Sequence, residues 1–287
     1  KQKLESTGNA CELILIKSVG DIEQTQPIYT LGITGVFTKQ LDIALLEDQA
    51  DIAVHSLKDV PTQLAKGLKI AAVLERGSPE DMVIVKHKEF LNDNCSTATI
   101  ASSSLRRKAQ WNAKYPHHQI VPVRGNVETR IGKFKESAEV DGIIFAKAGL
   151  ERLGLLNENT ITLHWMLPAP AQGIIGIICK ENDEEIIDSC KEINHIPSFY
   201  SGFIERQFMS TLQAGCSVPV SAWANIVHEE IIFTAAIHAF DGKREFRIHQ
   251  KYLLAEWESV GKTAAENLLL QPGAEELLTE IKRKNVE

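Results

Sequence analysis

Thr97-Ala98-Thr99-Ile100-Ala101-Ser102-Ser103-Ser104-Leu105-Arg106-Arg107-Lys108-Ala109-Gln110-Trp111-Asn112-Ala113-Lys114 is the stretch on which the fold turns. Residues 97–101 read as a short buried strand, the serines make a turn, and 104–114 read as a helix. The same order recurs on either side. Downstream, a strand at 119–123 leads through Arg124-Gly125 into a helix from Asn126 to about Ser137, and a strand at 141–146 leads into a helical turn near 150–155. Upstream, residues 36–47 carry Phe37, Leu41, Ala44 and Leu45 at helical spacing, and short strands follow at 51–54, 68–74 and 82–85. Residues 11–17 read as a further strand. This alternation predicts an α/β architecture with largely parallel sheets.

The pattern changes after about Asn194. A helix is expected at 199–212 and strands at 218–225, 231–239 and 243–253, the last two joined by the hairpin signal Asp241-Gly242. Helices at 259–270 and 274–284 close the chain, separated by Gln271-Pro272-Gly273. That is a smaller α+β domain. Within the α/β part, Arg76-Gly77-Ser78-Pro79 and Pro168-Ala169-Pro170 are turn-rich crossings. They divide it into one lobe of residues 1–76 and 174–192 and a second of residues 80–168, with the third domain at 196–287. Two lobes joined by two crossings place a ligand in the cleft between them.

Bulk properties narrow the function. A chain of 287 residues suggests two or three domains, and 44% hydrophobic with 24% charged residues is the balance of a soluble globular protein. No run approaches about 18 apolar residues, so no membrane span is expected. Lys1 to Glu5 are polar and charged, which is not how a signal peptide begins. The net charge of −7 argues against a nucleic-acid partner. The five cysteines, Cys11, Cys95, Cys179, Cys190 and Cys216, are odd in number and form no Cys-x-x-Cys pair. Neither a disulfide framework nor structural zinc is expected, and reduced thiols fit a cytoplasmic protein. The histidines show no metal-ligand spacing.

Four strings could carry chemistry. In His55-Ser56-Leu57-Lys58-Asp59-Val60-Pro61, Lys58 and Asp59 follow a strand at its C-terminal end, where open α/β sheets place ligands. An exposed loop ion pair explains the same two residues. In Ser102–Arg107, serines open a helix whose free N–H groups can bind anions. Arg106 and Arg107 oppose the positive end of that helix, a cost that an anionic ligand would offset. The alternative is a solvated basic face. Arg124-Gly125-Asn126-Val127-Glu128-Thr129-Arg130 repeats the logic, and planar guanidinium groups suit carboxylates. Gly215-Cys216 puts a thiol on a loop, where a lone cysteine is most often an inert apolar residue and no partner for a Cys-His hydrolase is indicated.

In their order and separations, His55–Pro61, Ser103–Arg107, Arg124–Arg130, Ala148-Gly149-Leu150-x-Arg152-Leu153-Gly154, Pro168-Ala-Pro-Ala-Gln172-Gly173 and Gly215-Cys216 resemble the porphobilinogen deaminases (hydroxymethylbilane synthases), over essentially the whole chain. The resemblance implies two periplasmic-binding-protein-like lobes with a double crossover and a C-terminal domain. It implies a cytoplasmic, monomeric transferase that joins four porphobilinogen molecules head to tail with release of ammonia, in tetrapyrrole and heme biosynthesis. Cys216 would carry a dipyrromethane cofactor by a thioether, and Asp59 would stabilise the cation formed as ammonia leaves. Lys58, Ser102, Ser104, Arg106 and Arg107 would hold cofactor acids. Arg124, Arg130 and Arg152, with Phe37 and Gln172, would bind substrate and growing chain; Phe37 would cover the cofactor from the loop side and Gln172 would lie at the crossing.

This sequence departs from the family pattern twice. No residue stands for the family's opening strand with its cleft-facing Arg and Ser, and Thr34 in Ile33-Thr34-Gly35 takes the place of a lysine. Two rival readings are a two-lobed anion-binding receptor without catalysis and an anion-responsive regulatory module. The third domain with Cys216 opposes the first, and the second gives no reason for Asp59 and Cys216 together.

Overall fold

The structure is a computed structural model that describes residues 1–16, 38–93, 95–215 and 217–284. In chain order its strands are β1 (Ala53–Ser56), β2 (Leu68–Val73), β3 (Asp81–Val85), β4 (Thr99–Ala101), β5 (Gln119–Val121), β6 (Gly142–Ala146), β7 (Thr160–Thr162), β8 (Ile175–Lys180), β9 (Val220–Val227), β10 (Glu230–His238) and β11 (Glu245–Leu253). Its helices are α1 (Gln2–Ser6), α2 (Lys39–Leu46), α3 (Leu105–Lys114), α4 (Val127–Glu136), α5 (Lys147–Arg152), α6 (Glu184–Lys191), α7 (Ile196–Thr211), α8 (Trp257–Leu269) and α9 (Ala274–Lys284).

Three sheets organise the described residues: β1-β8-β2, β5-β4-β6-β3-β7 and β11-β10-β9. Among the described strands the five-strand sheet is mixed and the first sheet pairs only antiparallel, which corrects the expectation of largely parallel pairing. β4 runs parallel to β5 and β6, but β3 is antiparallel to β6 and β7, and β8 is antiparallel to β1 and β2. The reason is the double crossover. β3 is the strand on which the chain enters the second sheet, and β8 is the strand on which it returns to the first. Each is inserted between host strands of opposite direction.

β3 is buried along its whole length because it is covered on both faces. Val83 and Val85 pack toward Trp111 of α3, while Met82 and Ile84 pack toward Phe134 of α4. That is why its apolar run is continuous rather than alternating. Fully burying each such side chain contributes about 1.5–3 kcal/mol. Both helices start where the sequence places them. The Ser104 side chain accepts from the Arg107 N–H at 3.4 Å, and Asn126 Oδ1 accepts from the Thr129 N–H at 2.8 Å. A cap of this kind contributes about 1 kcal/mol.

The third sheet is an antiparallel meander covered by α7, α8 and α9 around Phe208, Phe233, Val260 and Leu268. Its hairpin turn rests on α3. A Cβ on Gly242 would lie 2.5 Å from the Ala109 oxygen and 2.6 Å from the Ala113 nitrogen, so only glycine fits.

Other expectations need correction. Residues 11–16 have no regular structure, and Leu13, Ile14 and Leu15 are exposed. A strand needs a backbone partner for its N–H and C=O groups, and none among the described strands pairs with this segment. The α2 helix begins at Lys39, later than the periodicity of 36–47 suggested, and Thr34 and Phe37 lie outside the described residues. The helix α6 and the strands β7 and β8 were not foreseen from the sequence, although Asp183 caps α6 and Glu184 and Glu185 fill its first turn.

Candidate functional site

The site lies where the two α/β sheets face each other across the crossings. β1 ends at Ser56, and a single tight turn, Leu57–Asp59, carries Lys58 and Asp59 out of the sheet. Leu57 is fully buried and anchors the turn, while Asp59 is exposed. Arg206 of α7 holds the next segment, donating to Val60 O at 2.8 Å and Pro61 O at 2.7 Å. Burial pushes this guanidinium down to about 10.

Asp81 organises the facing side, and the sequence reading missed it. Its carboxylate is completely buried at the head of β3. Oδ2 accepts from Arg106 Nη1 at 2.7 Å. Oδ1 accepts from Arg107 Nη2 at 2.8 Å, Arg107 Nε at 3.0 Å and Gln172 Nε2 at 3.0 Å. Burial alone would raise this carboxyl, but the two guanidinium groups win and hold it well below the usual carboxylate range. Arg106 also donates to Leu167 O at 2.7 Å, and Arg107 to Ile144 O at 2.9 Å. The cost of two arginines in the first turn of α3 is therefore offset from inside the protein, not by a ligand alone. The one sequence signal for this was a charge opening an otherwise unbroken apolar run, Asp81-Met82-Val83-Ile84-Val85.

Gln172 is also fully buried and knits the crossings together. Its Nε2 donates to Pro79 O at 2.7 Å as well as to Asp81, and its Oε1 accepts from Lys58 Nζ at 3.3 Å. Gly173 permits the close approach of the two crossing chains. Its φ is +89°, and a Cβ there would lie 2.7 Å from Gly77 O. Arg152 sits on the same crossing, donating to Gly173 O at 2.9 Å. Arg76 pairs with buried Glu205 at 2.5 Å, and Glu205 also accepts from the Ala171 and Ala224 N–H groups. This ties the crossings to the third domain.

The second arginine pair opens α4. Arg130 is half-buried, and its Nε donates to Gly125 O at 2.6 Å. Burial and the charges of Arg107 and Arg124 push it down, while Asp59 opposes them. Arg107 is likewise pushed down by burial and by Arg106, with Asp81 and Asp59 opposing. Lys58 is lowered by burial and by both Arg107 and Arg106, and supported by Asp59 and Asp81. Lys58, Asp59, Arg106, Arg107, Arg124 and Arg130 thus share one electrostatic neighbourhood, in which the cations outnumber the carboxylates of Asp59 and Asp81. Ser103 ties the two helix starts together, donating to Val123 O at 2.7 Å and accepting from the Val123 N–H at 2.9 Å. Ser102 Oγ accepts from the Ser104 N–H at 3.3 Å. A cavity of about 470 Å³ opens beside this turn, lined by Ser102, Ser104, Lys108, Arg124 and Lys133 above an apolar floor. Cys216 and Phe37 lie outside the described residues. No group of His, Cys, Asp and Glu among the described residues could hold a metal ion.

Sequence comparison matches this arrangement to a family. The model for the porphobilinogen deaminase dipyromethane cofactor binding domain matches residues 1–188, and the model for the C-terminal domain of porphobilinogen deaminase matches residues 200–270. The chain belongs to the porphobilinogen deaminase family. It is 41% identical over 266 residues to the porphobilinogen deaminase of Syntrophomonas wolfei, covering 92% of this chain and 86% of the relative. Against that of Nitratiruptor sp. the identity is 38% over 283 residues, covering 97% and 90%. Against that of Geotalea uraniireducens it is 36% over 290 residues, covering 100% and 90%. The chain is accordingly an enzyme of this family with a dipyrromethane cofactor. Among solved structures, the GluR0 ligand-binding core with L-glutamate aligns over 54% of this chain and 70% of its own, at 10% identity and a TM-score of 0.32. A likeness that low carries no argument, and the architecture rests on the strand pairings themselves. No helix among the described residues is long and apolar enough to cross a membrane.

Proposed function

We propose that the cleft between Asp59 and the two arginine-bearing helix starts is where four porphobilinogen molecules are joined into hydroxymethylbilane with release of ammonia. The observation that carries this reading is the convergence of exposed Asp59 with Lys58, Arg107 and Arg130. Each porphobilinogen ring brings two carboxylates. A cleft with surplus positive charge inside an acidic protein fits such a ligand, and it fits the acids of a dipyrromethane in the same way. When bound through a thioether at Cys216, the dipyrromethane supplies the pyrrole end on which the chain is started.

The residues divide the work. Arg106, Arg107 and Lys58, with Ser102 and Ser104, hold the cofactor's acids. Arg124, Arg130 and Arg152 hold the acids of substrate and growing chain, and Phe37 covers them. Gln172 lies fully buried between Lys58 and Asp81, so it serves by fixing both. Asp59 is the catalytic residue. As ammonia leaves, the ring becomes a delocalised cation, and a carboxylate held beside it lowers its energy before the next ring attacks. The same carboxylate can take the pyrrole proton. The reading includes a monomer acting in the cytoplasm without nucleic acid or membrane, and the net charge of −7 supports the exclusion of nucleic acid. It also divides the chain into lobes of 1–76 with 174–192 and of 80–168, and a third domain of 196–287. The three separate sheets support those limits.

Two variants test the assignment. Asp59→Asn is expected to keep the bound pyrroles and lose about 10²–10³-fold in kcat, by analogy with removal of one group aimed at developing charge. Cys216→Ser is expected to fold without the cofactor, so its intact mass equals the sequence mass and a pyrrole-specific aldehyde reagent gives no colour. Near-normal turnover in the first variant, or a retained mass excess in the second, removes the corresponding role.

A further inference from the structure

A buried hydrogen-bond chain reaches Arg106 from the hairpin end of the third domain's sheet, which rests on α3. Gln110 lies one helical turn after Arg106 on α3. Its Oε1 accepts from the Leu167 N–H at 2.8 Å, and its Nε2 donates to Leu167 O at 3.0 Å and to Ser221 Oγ at 3.1 Å. Leu167 O is the same oxygen that receives Arg106 Nη1. Ser221 Oγ lies 2.9 Å from His238 Nε2, and His238 Nδ1 lies 3.0 Å from Glu245 Oε2. His238 and Glu245 are the cross-strand pair at the hairpin end of β10 and β11. Gln110 and Ser221 are at most 5% exposed, and His238 is 2% exposed.

Hydrogen counting orients the Gln110 amide. An amide oxygen cannot donate, so it must face the Leu167 N–H, and both amide hydrogens are then used on Leu167 O and Ser221. The Glu245 carboxylate can only accept, so His238 Nδ1 carries a proton and donates to it. Burial favours the neutral ring, with Arg106 and Arg247 adding to it against Glu245. In the neutral ring Nε2 has no proton and accepts from the Ser221 hydroxyl, which itself accepts from Gln110.

We propose that Gln110, Ser221 and His238 are positioning residues that fix the Arg106 guanidinium from the third domain. The inference rests on the reading of Arg106 as a holder of ligand carboxylates. Asp81 sets the charge environment of Arg106, but a carboxylate alone tolerates more than one guanidinium orientation. The Leu167 carbonyl removes that freedom, and Gln110 holds the Leu167 peptide by both its polar groups. The domain that bears Cys216 thereby sets the orientation of an arginine on α3. An arginine so held loses little conformational freedom when a carboxylate arrives.

The Ser221 series tests this in the full-length protein as purified. Ser221→Val and Ser221→Thr add the same bulk and differ in the hydroxyl, while Ser221→Ala adds none. Ser221→Ala and Ser221→Val are expected to raise the ratio of cofactor-free to loaded protein about 3- to 10-fold by intact mass, the effect of one neutral buried hydrogen bond, while the loaded fraction keeps a KM for porphobilinogen within about twofold. Ser221→Thr is expected to restore loading relative to Ser221→Val. In an Arg106→Lys background, Ser221→Ala is expected to add nothing further to the loss of loading, since the group it positions is already altered. A lowered melting temperature with unchanged loading in Ser221→Ala overturns the proposal in favour of a purely structural role, as does full additivity with Arg106→Lys. If Arg106→Lys itself leaves cofactor loading unchanged, the reading of Arg106 falls and takes the positioning role with it. If Arg106→Lys is impaired and Ser221→Ala is not, only the positioning role falls.

Discussion

Two helix starts in one sheet carry arginine pairs, and they are built differently. Arg106 and Arg107 are almost fully buried, share the Asp81 carboxylate and donate to fixed backbone carbonyls. Arg124 and Arg130 are half-buried, and Arg130 is oriented by the carbonyl of its own turn, Gly125 O. The first pair is preorganised and internally neutralised in part. The second is less buried, and Arg130 is oriented by a carbonyl of its own turn rather than by a buried carboxylate. A group that stays in place suits the first arrangement, and a chain that lengthens ring by ring suits the second.

Removing Asp81 breaks the contrast most severely. Asp81→Ala leaves two buried guanidinium groups without their carboxylate, and loss of one partner from a buried ion pair costs about 3–5 kcal/mol. Chemical denaturation is expected to show that loss, and intact mass to show poor cofactor loading. A stable, fully loaded Asp81→Ala protein breaks the idea that the first pair depends on internal neutralisation.

Exchanging the pairs one residue at a time sharpens it. Arg106→Ala or Arg107→Ala is expected to yield mostly cofactor-free protein. Arg124→Ala or Arg130→Ala is expected to yield loaded protein that stalls during elongation, each loss being about 1.5–3 kcal/mol of charge-assisted hydrogen bonding. Intact mass after mixing with substrate separates the two outcomes. The contrast fails if the first pair loads normally while the second arrives empty.

Acid supplies the mildest test. Asp81 titrates lower in the folded protein than its unfolded value of 3.8. It therefore contributes stability that is fully present above about pH 4 and is lost as the pH falls through the acid range below it. Denaturation midpoints measured at pH 5 and pH 3 are expected to fall less in Asp81→Asn than in the unaltered protein. An equal fall in both places the acid-sensitive group elsewhere.

Much of the site was legible in the sequence because local patterns built it. Ser104 and Asn126 announced two helix starts, and the strand before Lys58-Asp59 put both residues at a sheet end. The closing helix was expected at 274–284 and runs Ala274–Lys284. Asp241-Gly242 marked the hairpin, but that its glycine lies against α3 was not readable, because that contact joins Gly242 to Ala109 and Ala113, more than a hundred positions earlier in the chain. The strand expected at 11–17 shows the opposite failure. Alternation describes the side chains of a strand, whereas pairing decides whether the backbone forms one.

By itself, then, the sequence determined the α/β alternation around the site, the acidic balance, the helix starts that carry the arginines and, through motifs in register, the family. Tertiary structure alone decided the direction of β3 and β8, which depends on where the chain crosses rather than on any residue in those strands. It also decided which partners the buried charges have. Asp81 lies 25 residues from Arg106 in the chain, and Gln110 lies 111 from Ser221. Burial makes such pairings obligatory, because a charge or an amide removed from water must find a partner. Which partner it finds is settled by how the sheets and helices come to lie against one another.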